Sequence, residues 1–421
     1  MLNELLLLKK EKKGYFFSII LILFFPLSIL LSSTFANFSV VATCLIFLFL
    51  TFKEKDYYIF KDKFFILLLI FFIYILLNCF TSINFQNSFS RSVGFFRFII
   101  LPFALLFFIR KYNFRYAKLI FKFWTVIFIF ISIDLIFEFF FGYNTFGYAN
   151  QFPGRLSSVL DDELKIGYYY FGFFLITLAS ISLIFKKKIY LTILSIIVFT
   201  IISLLIGERS NFLKLFTGLI FFLCFWNEFN FKVKLSVITL IIILISTVFT
   251  FNKDLNNRFK NQFAQYLLQN GLKSYYHIST YGAHYSTAIK IFKNYPIKGT
   301  GLKNFYFECI KDEYDDKKFL ANNVRCTTHP HQLHLEILSQ LGLVGYLIFI
   351  TLIFYFLYRS FLNYLKYKNS IHLSGFIFVF VSIFLPVPSG SFFTSFGATI
   401  FWINIGLTLA FEKVKQNQFR L

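Results

Sequence analysis

Long, almost uninterrupted apolar stretches alternate with short polar segments along the whole chain. We count twelve such stretches, and each is close to the roughly 20 residues that a helix needs to cross the hydrocarbon core of a bilayer. They cover residues 15–33, 36–52, 64–82, 94–109, 118–141, 166–185, 189–206, 211–227, 235–251, 333–357, 371–389 and 392–411. This pattern predicts an all-α integral membrane protein with about 12 transmembrane helices. Residues 1–421 would form one polytopic domain, with a single large loop at 252–332.

Charge adds the orientation of the chain in the membrane. The net charge of +22 would suit a nucleic-acid partner, but Lys and Arg also collect in cytoplasmic loops near helix ends. With the N-terminus inside, 24 of the 42 basic residues fall in inside segments and four in the short outside loops. We therefore predict cytoplasmic N- and C-termini, an outside position for 252–332, and no nucleic-acid partner.

Ionisable side chains inside or beside the spans gather on the outer side, although lipid makes each of them costly. They include Arg91, Arg155, Asp161, Glu163 and Arg209 beside spans, and Arg97, Asp134 and Glu138 near the outer ends of spans. ATP and nucleotide sugars are cytoplasmic, so an enzyme at the outer face needs an already activated, most simply a lipid-linked, substrate. Arg97 and Glu138 lie at similar predicted depth, and we expect an ion pair because a lone buried charge is costly.

Two of the five cysteines, Cys309 and Cys326, lie in the predicted outer loop. An outer compartment is oxidising and allows such a pair to close. We therefore predict a Cys309–Cys326 disulfide that ties the loop down three residues before His329. Cys44, Cys79 and Cys224 lie in apolar spans and are interpreted as core residues.

Four ordered stretches carry a family resemblance. "HQLHLEILSQLGLVG" (331–345) resembles the His-Asn-x-x-Leu…Glu-x-Gly-x-x-Gly signature of the O-antigen ligase and O-antigen polymerase superfamily, with Gln332 in place of Asn and Gln340 in place of Glu. "GERSNF" (207–212) is similar to its small-residue-Arg-Ser motif. The stretches 134–158 and 294–305 resemble its Asp…Gly-x-x-x-Phe-Gly…Arg-x-Ser and Asn-Pro…Gly-x-Gly…Phe segments. The resemblance covers about residues 130–412.

This resemblance implies an inverting, metal-independent glycosyltransferase of the GT-C type that needs no cofactor. Its donor would be a polyprenyl-diphosphate-linked glycan. Its acceptor would be lipid A-core for a ligase, or another lipid-linked glycan for a polymerase. It would lie in the bacterial inner membrane, surrounded by membrane lipids, with its active site on the periplasmic side.

The residue types suit that chemistry independently. An acceptor hydroxyl must lose a proton as it attacks, and a neutral histidine is a suitable general base near pH 7; we assign this role to His331, with His329 and His334 in support. A lipid diphosphate leaving group needs cations, and Arg presents a forked donor set to phosphate oxygens. Arg209, at a predicted helix N-terminus that also favours anions, and Arg155 are the candidates.

The chain departs from the family where a second arginine is expected, because "STYGAHYSTAIKIF" (279–292) contains none. His284 is our preferred substitute for that phosphate contact. His277, Arg155 and Lys290 are the alternatives.

Three other interpretations remain open. The spacing His-x-His-x-x-His at 329–334 is also compatible with a zinc site, although no fourth ligand is evident in the motif. A polymerase shares the chemistry of a ligase. A glycolipid transporter belongs to a different class, but transporters tend to have inverted repeats and polar sites at the midplane, and neither is evident here.

Overall fold

The computed structural model describes residues 8, 11–111, 114, 116–161, 163–185 and 188–415. Six basic residues of the predicted inside segments lie outside the described residues, namely Lys9, Lys10, Arg115, Lys186, Lys187 and Arg420. Each of the twelve apolar stretches coincides with one helix. These helices are α1 (Lys13–Leu31), α2 (Ser33–Glu54), α3 (Lys63–Asn78), α4 (Phe85–Lys111), α5 (Ala117–Phe141), α6 (Ile166–Ile184), α7 (Ile189–Leu205), α8 (Arg209–Phe225), α9 (Phe231–Phe251), α14 (Leu333–Tyr367), α15 (Ser370–Phe384) and α16 (Ser395–Ala410).

Eight helices of the described chain are long and apolar enough to cross a membrane. Three further apolar helices, α7, α15 and α16, are shorter. The architecture is therefore that of an all-helical, multi-pass membrane protein, as the apolar pattern predicted.

The segment between α9 and α14 is also largely helical. It contains α10 (Lys253–Asn256), a π-helical stretch (Asn257–Gln265), α11 (Tyr266–Ile278), α12 (Thr280–Asn294) and α13 (Phe305–Cys309). Its residues Ala288, Ile291, Phe305, Cys309 and Tyr314 form a small apolar core of their own. We call the end of the helix bundle that carries this segment the loop end.

Two helix boundaries differ from the sequence prediction. α4 begins at Phe85, nine residues before the apolar stretch 94–109, because a helix continues through polar residues that pack against protein. The loop between α15 and α16 spans 385–394, where only two residues were expected. Pro386, Pro388 and Gly390 are poor helix residues, so the helices end before them despite the apolar neighbours.

A backbone junction fixes the start of α14. The helix kinks at Gly342, which has φ 65°. There the N–H of Leu343 donates to the Pro296 carbonyl at 2.8 Å, while the Gln340 carbonyl accepts from the N–H of Gly301 at 2.8 Å. The 296–301 turn thus satisfies the backbone groups that the kink leaves free, and joins the segment between α9 and α14 to the histidine-bearing end of α14.

An ionic network joins the helices at the opposite end. Arg359 on α14 contacts Asp62 at 2.7 Å and Glu412 at 2.6 Å. The two carboxylates thus hold α14 against the start of α3 and the segment after α16.

Candidate functional site

A cavity of about 470 Å³ opens at the loop end. We call it the main cavity. Its basic side chains are Arg155, Lys165, Arg209, Lys214 and Arg258, and its ring-bearing polar side chains include Tyr281, His329 and His331. Four residues predicted from the sequence, namely Arg155, Arg209, His329 and His331, therefore line one space, although they are far apart in the chain.

Two glycines bring the arginines together. Gly207, in the turn between α7 and α8, has φ 74°, and a Cβ there would collide with the Gly154 carbonyl oxygen. This close approach places Arg155 beside the N-terminus of α8, where Arg209 is the first residue. Arg258 packs over both glycines: its side chain donates to the Gly207 carbonyl at 3.3 Å.

Arg155, Arg209 and Arg258 form a basic cluster, and the backbone of Arg258 takes part in it. Its carbonyl accepts a hydrogen bond from Arg209 Nη1 at 3.2 Å, and Arg209 also lies over the ring of Phe263 at 5.8 Å. Burial lowers the pKa of Arg258, and the charges of Arg155 and Arg209 lower it further. The guanidinium groups are thus crowded enough to repel each other, which favours an anionic ligand between them.

Arg155 is held by the carboxylate of Glu208, the residue that precedes α8. Its Nη2 lies 3.6 Å from Glu208 Oε1, while its buried Nε has no hydrogen-bond partner among the described residues. The loop itself is fixed by Glu138, which accepts from the N–H groups of Ser157 at 3.0 Å and Ser158 at 2.6 Å. Glu138 thus supports the Arg155 loop from inside α5.

The predicted Arg97–Glu138 ion pair is wrong. Among the described residues, Arg97 instead bonds the Gly94 carbonyl at 2.5 Å and Ser395 Oγ at 3.1 Å, and it lies 4.5 Å from the ring centre of Phe98. Similar depth on two helices does not mean that their side chains face each other. Arg97 points to the start of α16, and the backbone amides already satisfy Glu138.

The backbone at His331 is unusual. His331 has φ 55°, in the left-handed region where a non-glycine residue is strained by about 1–3 kcal/mol. Its carbonyl accepts from the N–H of Ser389 at 2.8 Å, so the 385–394 loop holds the strained residue in place. Such strain persists where surrounding structure fixes it, which is common at functional sites.

The rings of three histidines lie next to each other. The His331 ring centre is 4.1 Å from that of His329 and 5.3 Å from that of His284. Burial lowers the pKa of His331 to about 4, with a further contribution from His284. Burial likewise lowers the pKa of His329 to about 3, and its histidine neighbours add to this. Both rings are therefore neutral at pH 7 and able to accept a proton.

His284 and His334 occupy different positions. His284 Nδ1 donates to the Arg325 carbonyl at 3.0 Å, and burial lowers the pKa of its ring. The ring contacts His331 and is not among the residues that line the main cavity. His334 Nε2 bonds the Ile383 carbonyl at 2.8 Å, and its Nδ1 lies 3.2 Å from the Tyr346 hydroxyl. Both ring nitrogens of His334 are thus engaged in helix packing, and the ring is not among the residues lining the main cavity.

The two glutamines that depart from the family signature have structural partners. Gln332 Oε1 accepts from the N–H of Leu335 at 2.7 Å and caps α14. Gln340 Oε1 accepts from the N–H of Lys303 at 2.8 Å. At both positions the glutamine amide oxygen thus accepts a hydrogen bond from a backbone N–H.

Sequence reasoning missed three parts of the site: Arg258, the pair Glu208 and Lys214, and the 385–394 loop. Glu208 accepts from the Gly167 N–H at 3.2 Å, and its charge attracts the buried Lys214. Lys214 was detectable as a lysine inside an apolar stretch. Arg258 carried no comparable signal, because the predicted loop contains twelve basic residues.

A disulfide joins Cys309 to Cys326, with 5.3 Å between their Cα atoms. It links α13 to the irregular segment that precedes His329. Among the described residues, no group of three or more His, Cys, Asp or Glu side chains is arranged to hold a metal ion.

Fold and cavity together define the class, a multi-pass helical membrane protein with an arginine- and histidine-lined cavity at one end. Residues 193–350 match the family model described as O-antigen ligase. The match includes Arg209, Arg258 and His331, and it confirms the predicted resemblance to the O-antigen ligase and polymerase superfamily. No curated protein matches the chain.

Proposed function

We propose that this protein is an inverting, metal-independent glycosyltransferase. It moves a glycan from a polyprenyl-diphosphate donor to lipid A-core, as an O-antigen ligase, at the periplasmic face of the bacterial inner membrane. The family match supports a ligase or polymerase activity on lipid-linked glycans in general. The observation that carries the finer proposal is the main cavity, where Arg155, Arg209 and Arg258 lie in the same space as His331.

The residues of the cavity suit the two charges that the reaction develops. As the bond between the acceptor oxygen and the anomeric carbon forms, the bond from that carbon to the phosphate oxygen breaks. The lipid diphosphate leaves with the electron pair, and the arginines stabilise its charge by forked hydrogen bonds. The acceptor hydroxyl proton passes to the neutral ring of His331.

The contacts of His334 favour this mechanism over a three-histidine zinc site. Its two ring nitrogens are engaged by Ile383 and Tyr346, so the ring would have to leave its packing to join His329 and His331 on a metal. We expect EDTA to leave the transfer rate unchanged. Loss of activity with EDTA and its return with zinc would contradict the proposal.

The decisive experiment is glycan transfer by the purified protein from a defined polyprenyl-diphosphate donor. Offering lipid A-core alone, and then a second lipid-linked glycan alone, separates a ligase from a polymerase. A product only with the second acceptor would replace ligase by polymerase. Movement of intact donor across vesicles without any transfer would indicate a glycolipid transporter instead.

Sidedness has its own test. In a background without Cys44, Cys79 and Cys224, an impermeant thiol reagent applied to intact cells should label Asn270→Cys. It should not label Lys366→Cys until the inner membrane is opened. Both positions are exposed, so labelling of Lys366→Cys in intact cells would place the active site on the wrong face.

A further inference from the structure

A buried lysine faces the main cavity from inside the helix bundle. Lys214 belongs to α8, is 2% exposed, and lines the cavity. Ser210 and Asn211 line the same cavity from the first turn of α8, four and three residues before Lys214. Residues at this spacing share one face of a helix, and their side chains lean toward its N-terminus. Lys214 therefore continues, about one turn further into the bundle, the cavity-lining face that starts at Arg209.

The ammonium of Lys214 has no close partner in the part of the chain that the structure describes. It makes no hydrogen bond and no ion pair there, and Glu208 is the carboxylate whose charge acts on it. Glu208 already accepts from the Gly167 N–H at 3.2 Å and from Asn211 Nδ2 at 2.5 Å. Its Oε1 also lies 3.6 Å from Arg155. A buried charge without a close partner is costly, so a ligand in the cavity explains this lysine better than the packing of the helices does.

The charges around the main cavity suit an anion with more than one phosphate. The cavity is lined by five basic side chains and by one carboxylate, that of Glu208. The basic cluster accounts for three of the cations, and its members crowd each other. Lys214 is separate from the cluster, because it faces a part of the cavity whose wall includes Tyr168 of α6 and Phe401 of α16. Five residues of helix rise about 7.5 Å, so the side chains of Arg209 and Lys214 are long enough to hold neighbouring phosphates between them.

We propose that Lys214 binds one phosphate of the donor while the basic cluster binds the other, and that this lysine makes the cavity selective for lipid diphosphates over lipid monophosphates. This inference rests on the proposed function and deepens it. When the bond between the sugar and the phosphate oxygen breaks, the leaving diphosphate gains one negative charge. An ammonium that already contacts the diphosphate stabilises that charge. A lipid monophosphate reaches only one of the two groups of cations and binds less tightly.

The test measures lipid binding by the full-length protein in nanodiscs, without acceptor, so it does not depend on glycan transfer. The probes are polyprenyl diphosphate and polyprenyl monophosphate of the same chain length. The variants are Lys214→Met and Lys214→Gln, which remove the charge and keep an unbranched side chain. Lys273→Met is the matched control, because Lys273 is an exposed lysine of α11 that does not line the cavity. Thermal unfolding of each ligand-free protein is recorded in parallel.

We expect wild-type protein and the control to bind the diphosphate about tenfold more tightly than the monophosphate, in keeping with one hydrogen bond to a charged group. Both Lys214 variants should lose most of that preference through weaker binding of the diphosphate. Their ligand-free thermal midpoints should equal or exceed that of wild type, because a costly buried charge has been removed.

Equal binding of the two lipids by wild type, or an unchanged preference in either Lys214 variant, would overturn the inference. A lower ligand-free midpoint with the preference intact would make Lys214 a structural partner of Glu208 and would overturn it as well. A Lys214-dependent preference in a protein that transfers glycan to neither acceptor would support the inference and reject the transferase.

Discussion

The ring centres of His329 and His331 lie 4.1 Å apart, on either side of Pro330. Two imidazoles this close cannot both be protonated without strong repulsion, and their burial opposes even the first proton. The pair is therefore held in its neutral, proton-accepting form. That state is what a general base requires before the acceptor arrives.

The first prediction concerns pH. A pKa of about 4 for His331 keeps the base neutral from about pH 5.5 upward, so kcat/KM should be flat there and fall only near pH 4. An acid limb near the ordinary histidine value of about 6.5 would contradict the burial of this ring. The linked stability has the same sign: the unfolded ring takes up a proton near pH 6.5, so the contribution is complete above that pH and is lost as pH falls towards 4.

The second prediction separates the base from the phosphate ligand. His331→Ala should keep donor affinity and reduce the chemical step by about 10²–10⁴-fold. Arg209→Ala should reduce both affinity and rate, at a cost of about 2–4 kcal/mol, because the contact exists in the ground state and in the transition state. Arg209→Lys should recover only part of the donor affinity and rate, since an ammonium lacks the forked geometry of a guanidinium. Single-turnover rates and donor affinities of the variants separate the two roles. Near-normal turnover by His331→Ala would remove His331 as the base.

The third prediction concerns Arg258, which the sequence did not single out. Arg258→Ala should weaken donor binding by about 1.5–3 kcal/mol, the range for hydrogen bonds to charged groups. Lys260→Ala is the matched control, because Lys260 is an exposed basic residue two positions away that does not line the cavity. If both variants bind donor equally well, the basic cluster has only two functional arginines.

The fourth prediction concerns the disulfide. Cys309 and Cys326 are 17 residues apart, and closing a loop of that length stabilises the folded state by about 3 kcal/mol in the chain-entropy model. Cys326→Ser should therefore lower the thermal midpoint and increase protease cleavage between 309 and 326. Non-reduced peptide mass spectrometry should find the bridge in wild type. Two alkylatable thiols in freshly isolated membranes would exclude it.

The apolar pattern predicted the helices well, because the bilayer makes length and hydropathy sufficient to locate a span. Arg209 and His331 could be proposed from motif and chemistry alone, and the structure brings them to one cavity. What the pattern lacks is the rotation of each helix about its axis. That missing angle is why the sequence predicted a pair of Arg97 and Glu138 that the structure does not form.

Other parts of the site depend on the path of irregular chain. Arg258 reaches the arginines only because the stretch after α9 turns back over Gly154 and Gly207. The 385–394 loop was hidden by Phe392 and Phe393, which read as part of a span although they pack beneath the cavity. Neither feature has a local signal, because both arise from contacts between residues distant in the chain.

The exposure of α9 links the site to the lipid around it. Only 11% of its most apolar window is buried in protein, and Val237 and Ile241 are its buried residues. A span that makes few contacts with protein can adjust its tilt to the hydrocarbon thickness, and Arg258 follows seven residues after α9 ends. Donor affinity should therefore change when the protein is moved from short-chain to long-chain phosphatidylcholine vesicles, with Arg258→Ala insensitive to the change. The same donor affinity in both thicknesses would mean that the turn at Gly207 alone sets the position of the Arg258 guanidinium. A difference would mean that bilayer thickness adjusts how tightly the protein binds its donor.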